Sequence, residues 1–285
     1  MLTYEETSRF VQAGDYRVHY HEAGEGPALL CMHGGAPGAF GWGNFGRNVE
    51  ELARHFRVIV VDLPGYGKSD KPDLATGRNK MYADTMVALL DSLGLERANV
   101  LGMATGGAVA IRLAADYPHV VDRLILVSAA GGQAMFGLRP QVPASQVYYG
   151  GEGPSLAKMR DYLSQLLYDP SLLTDEVLRE RYEASVEPEF MARAPEGRTP
   201  TRHTPGDLWK RLDEIQAQTL IVWGRENRAQ SFENGVFMLS RIRHAQLHVF
   251  GECGLWVPYE KSAEFNALVV NFLSGTREAG YGHQP

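Results

Sequence analysis

The stretch Val100-Leu101-Gly102-Met103-Ala104-Thr105-Gly106-Gly107 decides the fold. Apolar Val100 and Leu101 predict the end of a strand, and the Ala, Ile and Leu residues from Gly106 to Tyr117 recur at helical spacing, so a sharp turn joins strand to helix. In a Gly-x-Ser-x-Gly motif, such a turn raises a nucleophilic Ser hydroxyl above the sheet. Here that place holds Ala104, and a methyl group cannot attack a carbonyl. The sequence keeps the backbone of this turn and lacks the nucleophile.

Composition limits the classes of protein to consider. The chain has 285 residues, 44% hydrophobic and 22% charged, which suits one large α/β domain with an insertion. A net charge of -6 offers no basic field for phosphate backbones, so nucleic acid is not expected as a partner. No apolar run reaches the roughly 20 residues that span a bilayer, and no signal peptide pattern is present. We therefore expect a cytoplasmic protein with no membrane partner.

Short apolar runs alternate with helical patterns in residues 1–130 and again in residues 212–275. Strand alternating with helix at this interval predicts the α/β class with a doubly wound, mostly parallel sheet. The predicted strands are Ala28–Met32 and Arg57–Val61, which are expected to be buried, followed by Leu124–Val127, Thr219–Trp223 and Gln246–Phe250. The predicted helices of this core are Trp42–His55, Tyr82–Leu93 and Ser262–Leu273.

The alternating stretch Tyr16–Glu22 predicts an edge strand that carries His19 and His21 on one solvated face. A third ligand is not near them in sequence, and the only two cysteines, Cys31 and Cys253, form neither a disulfide framework nor a zinc cluster. We therefore predict no metal site and no cofactor.

The alternation of strand and helix patterns stops between residues 131 and 211. In this region, prolines separate short helical patterns such as Ser155–Tyr168 and Asp175–Ser185. This pattern predicts an inserted helical lid over residues 131–211. Residues 276–285, rich in Gly and polar groups, are predicted to form a loose C-terminal tail.

Two glycine-bearing loops follow predicted strands. The loop His33-Gly34-Gly35-Ala36-Pro37-Gly38 lets backbone N–H groups approach a ligand, as in an oxyanion hole, with a plain turn as the alternative. The loop Asp62-Leu63-Pro64-Gly65-Tyr66-Gly67-Lys68-Ser69 fits neither the Walker nor the dinucleotide spacing and is interpreted as a structural turn.

These two loops, together with Trp223-Gly224-Arg225-Glu226-Asn227-Arg228 and Cys253-Gly254-Leu255-Trp256, resemble the α/β-hydrolase family. Within it, the likeness is greatest to the meta-cleavage-product hydrolases, which hydrolyse a C–C bond in vinylogous 2-hydroxy-6-oxo-dienoic acids. The resemblance runs from about Tyr16 to Leu273, lid included, and implies the α/β-hydrolase fold.

That family uses Ser, Asp and His in this chain order. The resemblance places the Ser at Ala104, the Asp at Asn227 and the His at Leu255. Leu255 cannot accept a proton, and Asn227 carries no charge to steady an imidazolium, so the proton relay of acyl transfer is missing at each position. We therefore predict that this chain is not a serine hydrolase.

Other parts of the family's pocket are kept. The resemblance implies an oxyanion hole from the backbone N–H groups of Gly35 (with Gly34) and Thr105, and a lid arginine, Arg181, that holds a substrate carboxylate beside Asn44. An exposed helical arginine is the alternative for Arg181. The predicted ligand-binding residues are Gly34, Asn44, Met103, Ala104, Arg181, Asn227, Leu255 and Trp256.

Two functions from different classes remain open. The first is a cofactor-independent enzyme of secondary metabolism that acts on a polyketide-like or β-keto acid through the anion hole, as a cyclase, lyase or isomerase, with condensation also possible. His203 is its first candidate acid or base, followed by Glu226, Tyr182 and the Thr105 side chain, although the residue after the turn's apex usually points away. The second is a small-molecule binding or scaffold protein without catalysis. A homodimer is compatible with both.

Overall fold

A computed structural model describes residues 2–72, 78–133, 144–192 and 206–275 of the chain. Its described strands form one sheet in the order β1-β2-β4-β3-β5-β6-β7-β8. The strands are β1 (Ser8–Ala13), β2 (Tyr16–Ala23), β3 (Ala28–Met32), β4 (Arg57–Val61), β5 (Ala98–Met103), β6 (Val121–Val127), β7 (Gln218–Gly224) and β8 (Ala245–Phe250).

The sheet is parallel from β4 through β8 and antiparallel only at β1 and β2. Register places the ends of neighbouring strands together: Met32 of β3 pairs with Gly102 of β5, and Met103 pairs with Val127 of β6. Loops that follow the carboxyl ends of parallel strands meet at one edge of the sheet, which is where α/β proteins bind ligands. This topology brings the Gly-rich loop beside the turn at Ala104.

Helices cover both faces of the sheet, which explains the all-apolar strands. In β3, Leu30 and Met32 pack in the core on one face, and Leu29 and Cys31 pack in the core on the other. The helices are α1 (Tyr4–Thr7), α2 (Gly41–Leu52), α3 (Arg78–Ser92), α4 (Thr105–Asp116), α5 (Ala144–Tyr149), α6 (Leu156–Leu166), α7 (Asp175–Ser185), α8 (Pro188–Ala192), α9 (Glu233–Arg241), α10 (Val257–Glu260) and α11 (Ser262–Ser274). The predicted α/β class with a mostly parallel sheet is confirmed.

Helices α5 to α8 lie in the chain between β6 and β7, where the insertion was expected, and we call them the lid. Two of them begin at a side-chain cap: the Ser155 hydroxyl accepts the Lys158 N–H at the start of α6, and the Thr174 hydroxyl accepts the Val177 N–H at the start of α7. The limits 131–211 for this insertion stay a prediction, and the tail 276–285 lies outside the described residues. None of the described helices is long and apolar enough to cross a membrane.

The N-terminal segment corrects two predictions. Strand β2 is not an edge strand, because β1 pairs with it antiparallel. His19 and His21 do share a face, but that face is buried, with 0% and 1% of each residue exposed. The Tyr4 ring of α1 lies 4.4 Å from the His21 ring, and His19 Nδ1 lies 2.7 Å from the Asp62 carboxylate. Sequence analysis missed β1 because its polar residues gave no clear alternation.

Candidate ligand-binding site at the turn between β5 and α4

Ala104 sits alone between the last residue of β5 and the first of α4, with φ 47° and ψ -108°. L-residues rarely adopt this backbone conformation, and such strain costs about 1–3 kcal/mol. The two glycines on either side are required by close approach. A Cβ at Gly102 would lie 2.3 Å from the Gly106 carbonyl oxygen, and a Cβ at Gly106 would lie 2.2 Å from that of Met32. The strained turn therefore persists with a methyl group at its apex.

The Gly-rich loop lies directly against this turn. A Cβ at Gly34 would contact the Ala104 methyl at 3.4 Å. The backbone N–H groups of Gly35 and Thr105 donate no hydrogen bond to any residue in the described part of the chain. Two free N–H groups near a helix N-terminus are suited to bind an oxygen that carries negative charge.

His33 holds the Gly-rich loop and is not available as a base. Its Nδ1–H donates to the Gly34 carbonyl oxygen at 2.6 Å, and its Nε2 accepts the Leu63 N–H at 3.0 Å. Burial lowers the pKa of His33 to about 4, so the ring is neutral near pH 7. Both ring nitrogens are used to fix the loop beside Ala104.

Asn227 and Leu255 meet behind the turn through Ser128. The Asn227 Oδ1 accepts the N–H groups of Ala229 and Gln230 at 3.0 and 2.9 Å, and its Nδ2 donates to the Ser128 hydroxyl at 3.2 Å. That hydroxyl donates in turn to the Leu255 carbonyl oxygen at 3.2 Å. These hydrogen bonds connect the loops that carry Asn227 and Leu255 to Ser128. Neither the amide of Asn227 nor the side chain of Leu255 can relay a proton.

Arg181 of α7 is buried, with 3% of the residue exposed, and points inward from the lid. Its guanidinium donates to Asn44 Oδ1 at 2.7 Å and to the carbonyl oxygens of Gly38 and Gly43 at 3.3 Å. The group also lies 4.5 Å above the Trp256 ring, a cation–π contact. The exposed arginine considered as the alternative is therefore wrong, while the role of Arg181 in ligand binding stays a prediction.

The buried charge of Arg181 has no counter-ion in the described ranges. No carboxylate oxygen there lies within the 4.0 Å that defines an ion pair, and the guanidinium Nε has no hydrogen-bond partner. Burial lowers the pKa of Arg181 to about 10. A desolvated cation without a charged partner costs free energy, which an anion bound beside it would reduce.

Asn44 connects the lid to the turn. Besides accepting from Arg181, it directs its Nδ2 toward the Met103 sulfur at 3.4 Å. Its backbone carbonyl oxygen accepts the Trp256 indole N–H at 3.3 Å. Arg181, Asn44, Met103 and Trp256 therefore form one contiguous wall that ends beside Ala104, as the resemblance implied for their positions.

The other candidate acids and bases lie in different surroundings. His203 lies outside the described residues. Glu226 is engaged at a loop, where it pairs with Arg225 at 2.7 Å and accepts the Cys253 N–H at 3.1 Å. Tyr182 is half-buried against the apolar residues of the lid. Thr105 does not point away from the site: a Cβ at Gly35 would meet its Oγ1 at 2.5 Å.

Sequence analysis missed Tyr66, because the loop Asp62–Ser69 was interpreted only as a structural turn. The same Cβ position at Gly35 lies 3.0 Å from the Tyr66 hydroxyl.

Among the described residues, no group of three His, Cys, Asp or Glu side chains could hold a metal ion. An open groove of about 820 Å³ lies elsewhere, lined by residues that include Glu51, His55 and Asn266, and contains none of the predicted site residues.

Comparison with known proteins agrees with this geometry. The alpha/beta hydrolase fold family matches residues 27–262. The 2-hydroxy-6-oxo-6-phenylhexa-2,4-dienoate hydrolase of Comamonas testosteroni is 36% identical over 280 residues, which are 95% of this chain and 98% of that protein. A 2-hydroxy-6-oxononadienedioate/2-hydroxy-6-oxononatrienedioate hydrolase of the same species is 34% identical over 280 residues, covering 94% of this chain and 96% of that protein.

A solved structure leads to the same family. The meta-cleavage product hydrolase CumD of Pseudomonas fluorescens IP01, in a mutant form complexed with acetates, superposes with a TM-score of 0.81. It is 32% identical, and the match covers 93% of this chain and 97% of that one. The strand-to-helix turn, the parallel sheet and these likenesses lead to one conclusion: the chain belongs to the α/β-hydrolase fold family and is homologous to the meta-cleavage product hydrolases.

Proposed function

We propose that this chain binds a small organic acid between the lid and the turn at Ala104 and promotes a reaction other than hydrolysis. Arg181 and Asn44 hold the carboxylate of this acid. The backbone N–H groups of Gly35 and Thr105 hold a carbonyl or enolate oxygen. Cyclisation, condensation, decarboxylation or isomerisation of a polyketide-like or β-keto acid would then proceed through a stabilised enolate, without a covalent intermediate or a cofactor.

The observation that carries this proposal is the unpaired charge of Arg181. Its guanidinium is buried, has an unused Nε donor and has no described carboxylate partner. Leaving a charge buried and unpaired costs several kcal/mol, roughly 3–5 when a pair is broken. A carboxylate ligand removes that cost, and charge-assisted hydrogen bonds contribute about 1.5–3 kcal/mol.

The relatives support an acid as the ligand. The hydrolases of Comamonas testosteroni are named for dienoate and dienedioate compounds, and the CumD structure is complexed with acetates. Such compounds carry a carboxylate, which Arg181 would bind, and a conjugated ketone, whose oxygen would accept the free N–H groups.

The three positions to which the resemblance assigns the family's Ser, Asp and His argue against hydrolysis here. Ala104 offers a methyl group, Leu255 an alkyl chain, and Asn227 an amide already bound to two backbone N–H groups. Positioning alone can lower a barrier by roughly 7–11 kcal/mol at most, which suffices for a reactive, already enolisable substrate.

The alternative is a binding protein without catalysis, and one observation favours it. His33, which holds the Gly-rich loop beside the turn, uses both ring nitrogens for structural hydrogen bonds. Mass spectrometry of the ligand before and after incubation separates the two functions. A binding protein saturates with the acid and returns it unchanged, whereas an enzyme returns a product.

The test of the non-hydrolytic proposal uses p-nitrophenyl esters and a fluorophosphonate, which require an activated hydroxyl at the apex of the turn. We expect no ester turnover and no labelling in a protein that still binds an organic acid with dependence on Arg181. Stoichiometric fluorophosphonate labelling at the turn would contradict the proposal. A binding-competent protein whose affinity for acids ignores Arg181→Met would contradict it equally.

A further inference from the structure

Two hydroxyl groups converge on Gly35 at the mouth of the anion hole. The position that a Cβ would occupy at Gly35 lies 2.5 Å from Thr105 Oγ1 and 3.0 Å from the Tyr66 hydroxyl. Each value is at or below the shortest distance that real Cβ atoms show, so only glycine fits between these two groups. The hydroxyls of Thr105 and Tyr66 therefore pack against the Gly-rich loop at Gly35.

Neither hydroxyl has a hydrogen-bond partner within the described ranges, although both residues are buried. Thr105 is 7% exposed and Tyr66 is 3% exposed, and no described residue accepts from or donates to either side-chain oxygen. Neither oxygen is among the fully buried polar atoms that lack a partner. With no hydrogen bond to another described residue, both hydroxyls are available to donate to an oxygen atom of a ligand.

The Tyr66 ring is held in place from both sides. The loop that carries it is built around buried Asp62, which accepts the Lys68 and Gly41 N–H groups at 2.9 and 2.6 Å. The ring lies 5.1 Å from the His33 ring below and 6.1 Å from the Phe190 ring of the lid. The phenol is therefore fixed between the Gly-rich loop and the lid.

Both hydroxyls act as proton donors near neutral pH. Burial raises the pKa of Tyr66 to about 12, so the phenol keeps its proton. A threonine hydroxyl is not ionised in this range either and rotates to suit an acceptor. Fixed neutral donors next to two free backbone N–H groups favour an oxygen atom that gains negative charge.

We propose that the hydroxyls of Tyr66 and Thr105 form a donor pair that binds the ketone oxygen of the ligand, at the end opposite its carboxylate. This inference rests on the proposed function, in which Arg181 holds the carboxylate. Within that function, the pair adds two side-chain donors to the backbone N–H groups of Gly35 and Thr105 that hold the carbonyl oxygen. Tyr66 and Thr105 are specificity-determining residues for that ketone.

The experiment compares two probes in calorimetric titrations. The first is 2-hydroxy-6-oxo-6-phenylhexa-2,4-dienoate, which has a carboxylate, an enol and a ketone. The second is benzoate, which has the carboxylate alone. The variants Tyr66→Phe and Thr105→Val each remove one hydroxyl while keeping the size of the side chain.

We expect Tyr66→Phe and Thr105→Val each to weaken binding of the dienoate about five- to thirtyfold, the effect of one lost hydrogen bond to a charged or polarised oxygen. Benzoate affinity should stay within about twofold, because benzoate has no atom to meet this pair.

Two control variants match these changes. Tyr82→Phe removes a buried hydroxyl that has no partner and should bind the dienoate within about twofold of the wild type, since it removes no hydrogen bond to the probe. Thr105→Ser keeps the hydroxyl at the site and should bind the dienoate more tightly than Thr105→Val does.

The outcomes separate this inference from the proposed function. Dienoate binding that depends on Arg181 but is unchanged in Tyr66→Phe and Thr105→Val overturns the donor pair and leaves the proposed function standing. Equal losses for dienoate and benzoate also overturn the pair, because they indicate a general disturbance of the site. Dienoate binding that ignores Arg181→Met, or no dienoate binding at all, overturns both proposals.

Discussion

Replacing the buried cation of the lid, in Arg181→Met, should reduce ligand affinity strongly and stability only slightly. An ordinary structural arginine behaves in the opposite way. The reason lies in two opposing contributions to the free energy of unfolding, both of which disappear together when the guanidinium is removed.

The first contribution is unfavourable to the fold. A pKa of about 10 against an ordinary value of 12.5 means that the fold disfavours the charged guanidinium by roughly 3 kcal/mol. Because the folded pKa of this cation is lowered, the penalty is present at all pH values below about 10 and is relieved only as the pH rises through 10 toward 12.5. Methionine removes it completely.

The second contribution is favourable. The guanidinium makes hydrogen bonds to Asn44, Gly38 and Gly43, of which the last two are 3.3 Å long. At about 1 kcal/mol each, these bonds come close to offsetting the penalty, so the free energy of unfolding should change by less than about 2 kcal/mol. For a domain of this size that is a shift of less than about 6 °C in Tm.

Ligand affinity should fall about ten- to a hundredfold in Arg181→Met, the effect of losing charge-assisted hydrogen bonds to a carboxylate. Calorimetric titration with benzoate measures the affinity, and thermal unfolding without ligand measures the stability. Arg179→Met is the matched control, since it removes the same charge from an exposed position of the same helix. Unchanged benzoate affinity in Arg181→Met, or a loss of Tm beyond about 10 °C, would refute this reasoning.

Three further predictions concern the turn and the buried histidines. Ala104→Gly should raise the free energy of unfolding by about 1 kcal/mol, because glycine relieves the strain at φ 47° at a smaller cost in chain entropy; a lower midpoint in urea would contradict this. Gly35→Val should abolish measurable binding of 2-hydroxy-6-oxo-6-phenylhexa-2,4-dienoate, because its Cβ would collide with Thr105 Oγ1 at 2.5 Å; unaltered titration curves would show that the loop does not bind the oxygen. Burial lowers the pKa of His21 and of His33 to about 4, so the unfolded chain takes up protons first as the pH falls. The stability that these two histidines contribute is complete above about pH 6.5. Between about pH 6.5 and about pH 4 the free energy of unfolding should decline by about 1.4 kcal/mol per pH unit for each histidine. Urea titrations at several pH values measure that slope, and His21→Phe should reduce it; an unchanged slope in the variant would contradict the assignment.

Much of the architecture could be predicted because local patterns and tertiary packing agree. Strand β3 was predicted with its observed limits, since five successive apolar residues are stable only when both faces are covered. Helix α7 was also predicted with its observed limits, because the helical pattern from Asp175 to Ser185 coincides with a cap at Thr174.

The N-terminal region could not be predicted, because its packing depends on distant residues. Nothing near His19 in sequence indicates that Asp62 will pair with it. The same holds for β1, whose residues become a strand only by pairing with β2.

At the site, the sequence could identify individual residues but not which groups converge. The alanine at the apex of the turn is given directly by the motif. The contact of Tyr66 with Gly35 depends on how the loop around Asp62 folds, and a tyrosine between two glycines gives no sign of its direction. The burial of Arg181 likewise follows from the close approach of the lid to Gly38, where a Cβ would lie 1.8 Å from the Arg181 carbonyl oxygen.

The proposed function requires this chain to bind a conjugated organic acid without hydrolysing it. Liquid chromatography with mass spectrometry, applied to 2-hydroxy-6-oxo-6-phenylhexa-2,4-dienoate incubated with a stoichiometric amount of the wild-type protein, tests this most directly. We expect saturable binding that Arg181→Met weakens, with the acid recovered either intact or as a rearranged product and with no benzoate formed. Release of benzoate at a rate proportional to protein concentration, with water incorporated across the cleaved C–C bond, would contradict it.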